Sequence, residues 1–272
     1  MSEHDVVLRT ATPATTATLR RDLQALGLQP GMLVLVHSSL SRLGWICGGA
    51  QAVVQALLDV LGPNGTLVMP THTPQLSDPA GWQAPPVPEE WWEPIRHGMP
   101  AFDPNLTPTY GMGAIVECFR HVPGVLRSYH PHASFAAHGP LAYSITRDHA
   151  LNETLGERSP LGRIYTHDGW VLLLGVGHEN NTSLHLAEYR ANFATKRIIT
   201  TGAPLQAEGQ QRWVIFQDID YITDDFAQIG ADFAAARNEW QAGTVGMGKG
   251  MLMRQRALVD FAVTWMESHR RG

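Results

Sequence analysis

Three short, unbroken apolar runs constrain the fold more than any other feature of the chain: residues 32–37 (MLVLVH), 66–69 (TLVM) and 170–175 (WVLLLG). Each is too short for a core helix and none alternates with polar residues. That is the pattern of strands buried on both faces, as in a parallel sheet covered by helices. Between the first two runs, residues 50–61 set Val53, Val54, Leu57, Leu58 and Leu61 on one helical face, and Gly62-Pro63 stops the helix. Strand, helix and strand in that order describe a right-handed parallel crossover. A helix over 15–28, carrying Leu19, Leu23 and Leu26, precedes it. Others are expected near 111–120, 182–193, 224–239 and 252–268, and 198–201 with 213–216 read as an antiparallel strand pair. The expectation is an α/β fold: a layered α/β/α sandwich around a mixed, largely parallel sheet, one domain over 1–272.

Residues 74–108 break the pattern, holding nine of the 18 prolines together with Trp82, Trp91 and Trp92. So much proline excludes regular structure, while three tryptophans argue for an ordered excursion packed over a cleft, or for a surface loop that buries its own aromatics. With 44% hydrophobic and 17% charged residues, the chain suits a packed core, and disorder is excluded. No apolar run approaches the length of a membrane span, and the N-terminus lacks the apolar segment of a secretory signal. Two cysteines, Cys47 and Cys118, make no disulfide framework, so a cytoplasmic protein is expected. A net charge of −5 argues against nucleic acid and weakly favours a cationic partner, and leaves the oligomeric state open. Thirteen histidines are an excess that metal or proton chemistry explains equally well.

Four constellations can carry chemistry. His37-Ser38-Ser39 ends the first strand, and Gly48-Gly49 leads into the following helix. This arrangement suits a phosphate or an extended pantetheine-like chain, or is simply a turn. The segment from Gly175 to Glu188 follows the strongest strand. It lacks the third glycine of a dinucleotide fingerprint, and His178 and His185 are too far apart for a zinc-protease helix. With Thr182 as N-cap, His185 falls in the first helical turn, where the helix dipole disfavours imidazolium and favours a neutral general base. Glu179 or Glu188 then orients the ring or holds a cation; the alternative is a histidine that caps local backbone. Asp218, Asp220, Asp224 and Asp225 crowd eight residues. The first two share strand parity, forming an acidic face for a polyamine-like cation or a divalent metal, or a solvated loop edge. His130-Pro131-His132 has no metal-ligand partner at a standard spacing.

Taken together, the motifs resemble those of the aminoglycoside 3-N-acetyltransferase family. They are His37-Ser38-Ser39 with Gly48-Gly49, the run Pro63-x-Gly65-Thr66-Leu67-Val68-Met69-Pro70, and Phe102-Asp103-Pro104 with Thr107-Pro108-Thr109. His130-Pro131 with Ser134-Phe135-Ala136-Ala137-x-Gly139, Ser159-Pro160-Leu161-Gly162, and Gly175-Val-Gly177 with Asn181-Thr182-Ser183-Leu184-His185-Leu186-Ala187-Glu188 continue the series. Asp224-Asp225-Phe226 and Val259-Asp260-Phe261-Ala262 complete it. Cys47 and the Trp-rich stretch 82–92 depart from the family pattern.

The resemblance implies an acetyl-CoA-dependent enzyme that acylates the 3-amino group of 2-deoxystreptamine aminoglycosides, confers antibiotic resistance, and has a fold distinct from the GNAT acetyltransferases. It implies His185 as catalytic base; Glu179, a carboxylate near it, and Thr73, a hydroxyl candidate with Ser38 and Ser39 for the developing oxyanion, complete the expected catalytic set. For the coenzyme it implies Ser38, Ser39, Gly49, Thr107 and Thr109, and His37, Thr73, Met112 and Phe135 are expected to join them. For the aminoglycoside it implies Asp218, Asp220, Asp224 and Glu188. No metal, nucleic acid or membrane is called for. Three rival readings are ping-pong transfer through Cys47, a non-catalytic protein that sequesters cationic sugars, and a metal-dependent hydrolase suggested by the histidine excess.

Overall fold

A computed structural model describes residues 2–271 of the chain. The central sheet contains β1 (Leu33–Ser38), β2 (Thr66–Pro70), β3 (Leu126–Arg127), β4 (Phe135–His138) and β5 (Trp170–Leu174). After a separate hairpin, β6 (Ile198–Ala207) and β7 (Gln210–Ile219), it is completed by β8 (Trp240–Val245) and β9 (Gly248–Arg254). The strand order is β3-β4-β2-β1-β5-β9-β8. The sheet is mixed, as expected, but parallel pairing is confined to β2–β1–β5; the four outer pairings are antiparallel. At the β8 edge a tight turn accounts for it. Gly246, at φ +59°, opens the two-residue turn between β8 and β9, and a hairpin joins antiparallel neighbours directly.

The ten helices are α1 (Glu3–Arg9), α2 (Thr16–Ala25), α3 (Gly49–Leu61), α4 (Trp92–Gly98), α5 (Ala114–Phe119), α6 (Ala142–Thr146), α7 (Pro160–Thr166), α8 (Ser183–Arg190), α9 (Phe226–Ala236) and α10 (Gln255–His269) among the described residues. Alternate residues of β1 and β5 enter different cores. Leu33, Leu35, Val171 and Leu173 pack with Leu161 of α7, Leu184 of α8, Ile229 of α9 and Leu258 of α10. Val34, Val36, Leu172 and Leu174 pack with Leu19 of α2, Leu57 of α3 and Ile115 of α5. Both sheet faces are therefore covered, which is why the strands read as unbroken apolar runs. No helix among the described residues is long and apolar enough to cross a membrane.

The excursion 74–108 is more regular than its proline content suggested. It contains short 3-10 turns at Pro74–Leu76, Pro79–Gly81 and Glu89–Trp91, and then α4. Pro94 falls in the first turn of α4, where a missing N–H is tolerated. Arg96 pairs with Asp78 at 2.7 Å, and its carbonyl accepts from Gln211 Nε2 of β7 at 3.2 Å. The Phe102 N–H donates to the Pro204 carbonyl of β6 at 2.9 Å. The excursion thus packs against the β6–β7 hairpin, and none of its residues lines the large cleft described below.

Candidate active site

The C-terminal ends of β1 and β5 open into a cleft of about 1250 Å³. Ser38 and Ser39 come from the end of β1, Gly49 from the start of α3, Met112 from the loop before α5, and Glu179 from the turn after β5. Three cations line the same space: Arg9 of α1, Arg42 and Lys249. A Cβ added at Gly49, Gly111 or Gly113 would meet nothing within 4 Å, so the backbone there is bare to a ligand. The Ser38 hydroxyl is buried and has no hydrogen-bond partner. Bare backbone, unpartnered hydroxyl and cations together fit a long chain ending in phosphates.

Five of the nine coenzyme residues expected from the sequence lie elsewhere. Phe135 is wholly buried in the sheet core, edge-on to His72 at 5.3 Å. The Thr73 hydroxyl donates to the Pro131 carbonyl at 2.6 Å and its N–H to His132 O, so it has no hydrogen left for a developing oxyanion. Thr107 Oγ1 accepts from the Asp103 N–H within its own loop, and Thr109 Oγ1 donates to Glu117 of α5 at 2.7 Å. His37 is buried below the cleft with Nε2 3.3 Å from Thr182 Oγ1. That contact sets the start of α8 against the end of β1. Cys47 is free and exposed, and it is not among the cleft residues.

His185 occupies the first turn of α8, as expected. It does not line the large cleft; its side chain is 12% exposed in a cage formed by Tyr221 and Phe226, with ring centroids at 4.6 and 4.9 Å. Nδ1 lies 2.6 Å from Glu188 Oε2, one helical turn on. A carboxylate against Nδ1 keeps the proton on that nitrogen and leaves Nε2 as the acceptor, the arrangement of a general base. Glu188 is wholly inaccessible, so it orients the ring and cannot hold a substrate ammonium. Glu179 accepts from the Gly177 N–H at 3.0 Å and from Asn180, bracing the turn after β5; it is not the partner of His185.

The acidic stretch is also divided differently than strand parity suggested. β7 ends at Ile219, so Asp218 is buried and Asp220 exposed. Asp218 accepts hydrogen bonds from Tyr189 and from Tyr221, the latter at 2.9 Å. Burial and the Asp218 charge push both phenols well above their ordinary range, so they stay protonated donors. Asp224 is exposed, while Asp225 pairs with Arg270 at 2.7 Å.

Several other histidines are buried. Burial holds His37 and His72 down to about 3. His149 is held at about 3 and His178 at about 4, again chiefly by burial. His72, whose buried Nε2 has no partner, escaped the sequence reading, as did Arg270. Neither belongs to a local motif that points to it. Among the described residues, no group of three or more His, Cys, Asp or Glu side chains is placed to hold a metal ion.

Comparison with known proteins gives a consistent picture. Residues 35–267 match the model of the aminoglycoside 3-N-acetyltransferase family. The chain is 47% identical to the SPbeta prophage-derived aminoglycoside N(3')-acetyltransferase-like protein YokD of Bacillus subtilis (strain 168), over 96% of this chain and 95% of the relative. The YokD crystal structure superposes with a TM-score of 0.95, covering 98% of each chain. A structure of AAC-IIIb as a binary complex with CoASH gives a TM-score of 0.85 at 32% identity, covering 96% of this chain and 98% of that one. AAC-VIa bound to sisomicin also gives 0.85, at 34% identity, covering 95% and 99%.

Proposed function

The chain belongs to the aminoglycoside 3-N-acetyltransferase family, and we propose that it is an acetyl-CoA-dependent N-acetyltransferase that modifies the 3-amino group of 2-deoxystreptamine aminoglycosides by direct transfer. The His185–Glu188 pair beside a glycine-lined cationic cleft carries this reading. Relatives holding CoASH and sisomicin support the pair of substrates. Resistance to such antibiotics, exerted from the cytoplasm by a single catalytic domain, is the biological role proposed with it.

Acetyl-CoA supplies the activated thioester. Arg9, Arg42 and Lys249 are suited to its phosphates and the Gly49, Gly111 and Gly113 backbone to its extended chain. The unpartnered Ser38 hydroxyl is a donor for the oxygen that gains charge as the carbonyl is attacked. His185 takes the proton from the attacking amine at Nε2, and Glu188 stabilises the imidazolium that results. As the C–N bond forms the C–S bond breaks, and CoA leaves as the thiol, taking up the proton that the amine lost. The exposed Asp220 and Asp224 are the acids of the stretch left open to a cationic sugar.

His185→Ala tests the assignment, with acetyl-CoA and sisomicin as substrates and CoA thiol release as the readout. A loss of about 10²–10⁴-fold is expected of a general base; near-normal turnover, or a loss of only a few fold, removes His185 from that role. The same assay decides against a sequestering protein if thiol appears at all. Ping-pong transfer through Cys47 would leave an acetyl-enzyme after incubation with acetyl-CoA alone, read by intact mass.

A further inference from the structure

We infer that Arg270, at the C-terminal end of α10, is a positioning residue for the general base. This rests on His185 being that base. The Arg270 guanidinium is 5% exposed and reaches both walls of the imidazole site. Nη1–H donates to Glu188 Oε1 at 2.7 Å, so the carboxylate that orients His185 through Oε2 is itself fixed through its other oxygen. Nε–H and Nη2–H donate to Asp225 at 2.8 and 2.7 Å, and Nη2–H also to the Ile222 carbonyl at 2.7 Å. The Ile222 N–H closes the loop on Glu188 Oε1 at 2.9 Å.

These bonds pin the segment between Tyr221 and Phe226, whose two rings cage the imidazole. One side chain therefore sets both the direction of the Nδ1 bond and the walls that stop the ring rotating. A planar fork with fixed donors does this; a lysine ammonium is a point charge and cannot bridge all three partners. Arg270 lies 82 positions from Glu188 and just beyond residues 35–267, which the family model matches. The groups facing the imidazole are Glu188 on its own helix, Tyr221 and, behind it, Asp218 at the end of β7, and His37 and His72 from the sheet side. Arg270 and Lys196 face Glu188, so Arg270 is the cation whose removal unbalances the pair.

The test compares wild type, Arg270→Gln, Arg270→Lys and His185→Ala with acetyl-CoA and sisomicin from about pH 6 to 9, with kcat counted per CoA-binding site. Arg270→Gln is expected to lose about 10²-fold in kcat, as misplacement of a reacting group does, with little change in KM for acetyl-CoA. Removing the cation leaves Glu188 better able to stabilise imidazolium, so the acidic limb of kcat/KM moves up by about one pH unit. Arg270→Lys keeps the limb in place while kcat stays below wild type. If Arg270→Gln does not fold, Arg270→Lys decides alone: wild-type kcat in it overturns the inference. A folded Arg270→Gln enzyme with unchanged kcat and pH profile also overturns it. If His185→Ala retains turnover, the base assignment itself has failed, a result distinct from either.

Discussion

Bringing the protein from pH 7 to pH 5 is expected to remove most of its folding stability, because so many of its histidines are buried in the neutral form. His37, His72 and His149 are held down to about 3 and His178 to about 4, each chiefly by burial. In the unfolded chain the same imidazoles take up protons near about 6.5. Above that value both states are neutral and nothing is lost. Below it the unfolded state binds protons that the native state rejects, until the native values are reached. Between pH 7 and 5 each such histidine removes roughly 2 kcal/mol, and four remove roughly 8 kcal/mol. A whole domain has only about 5–15 kcal/mol. His130, also held well below its ordinary value by burial, acts in the same direction. Urea unfolding at intervals between these two pH values, followed by tryptophan fluorescence, measures the loss while staying above the range in which carboxylates titrate. A fall of under about 2 kcal/mol would refute the reasoning, since it is less than one buried imidazole supplies. His149→Gln should lower the slope by about 1.4 kcal/mol per pH unit, the linkage of one proton.

Three further substitutions separate structural from functional roles. Thr73→Val removes a buried hydroxyl that donates to Pro131, and thermal unfolding should report a loss of about 1–2 kcal/mol while kcat changes little. Ser38→Ala should do the opposite, because its hydroxyl has no partner in the protein: unchanged stability, with kcat/KM for acetyl-CoA down by about 10-fold or more. Cys47→Ser should leave thiol release unchanged, since the side chain lies outside the cleft; a severe loss would revive transfer through the thiol.

Much of the fold is legible in local pattern, and what is not has a physical reason. β1, β2 and β5 are sandwiched between two helical layers, so burial on both faces wrote itself into unbroken apolar runs. The outer strands carry no such mark. β4 reads Phe-Ala-Ala-His and β8–β9 is interrupted by Gly243, Gly246, Gly248 and Gly250, so neither alternation nor β-branched residues announce them. The sequence pattern runs the last helix from 252, since Leu252 and Met253 continue its apolar positions; in the fold residues 252–254 finish β9, and α10 starts at Gln255. At the site, His185 was visible because its position depends on a strand end and a helix start. Its partner was not. Glu179 and Glu188 both lie near it in sequence, and only the packing of α8 against α10 shows Glu188 sealed from solvent and bound by Arg270.

Asp218 is where sequence and structure imply opposite experiments. As one of a pair of acids on a strand face it would hold a substrate amine, and Asp218→Asn would raise KM for sisomicin without affecting stability. The structure instead buries Asp218 beneath two phenols, with the Ile219 N–H donating to it at 2.8 Å. An amide in its place offers one acceptor oxygen, and its NH₂ faces a hydroxyl that already needs an acceptor. One tyrosine bond is then lost in a buried setting, at about 1–3 kcal/mol. Tyr221 is half of the cage around His185, so its loosening should reduce kcat by about tenfold and leave KM for the amine within about threefold. Asp220→Asn serves as the contrast, because Asp220 is exposed: KM should rise with stability untouched. If Asp218→Asn raised KM tenfold or more at unchanged melting temperature, Asp218 would be contacting the amine directly and the tyrosines would be its ornament rather than its partners.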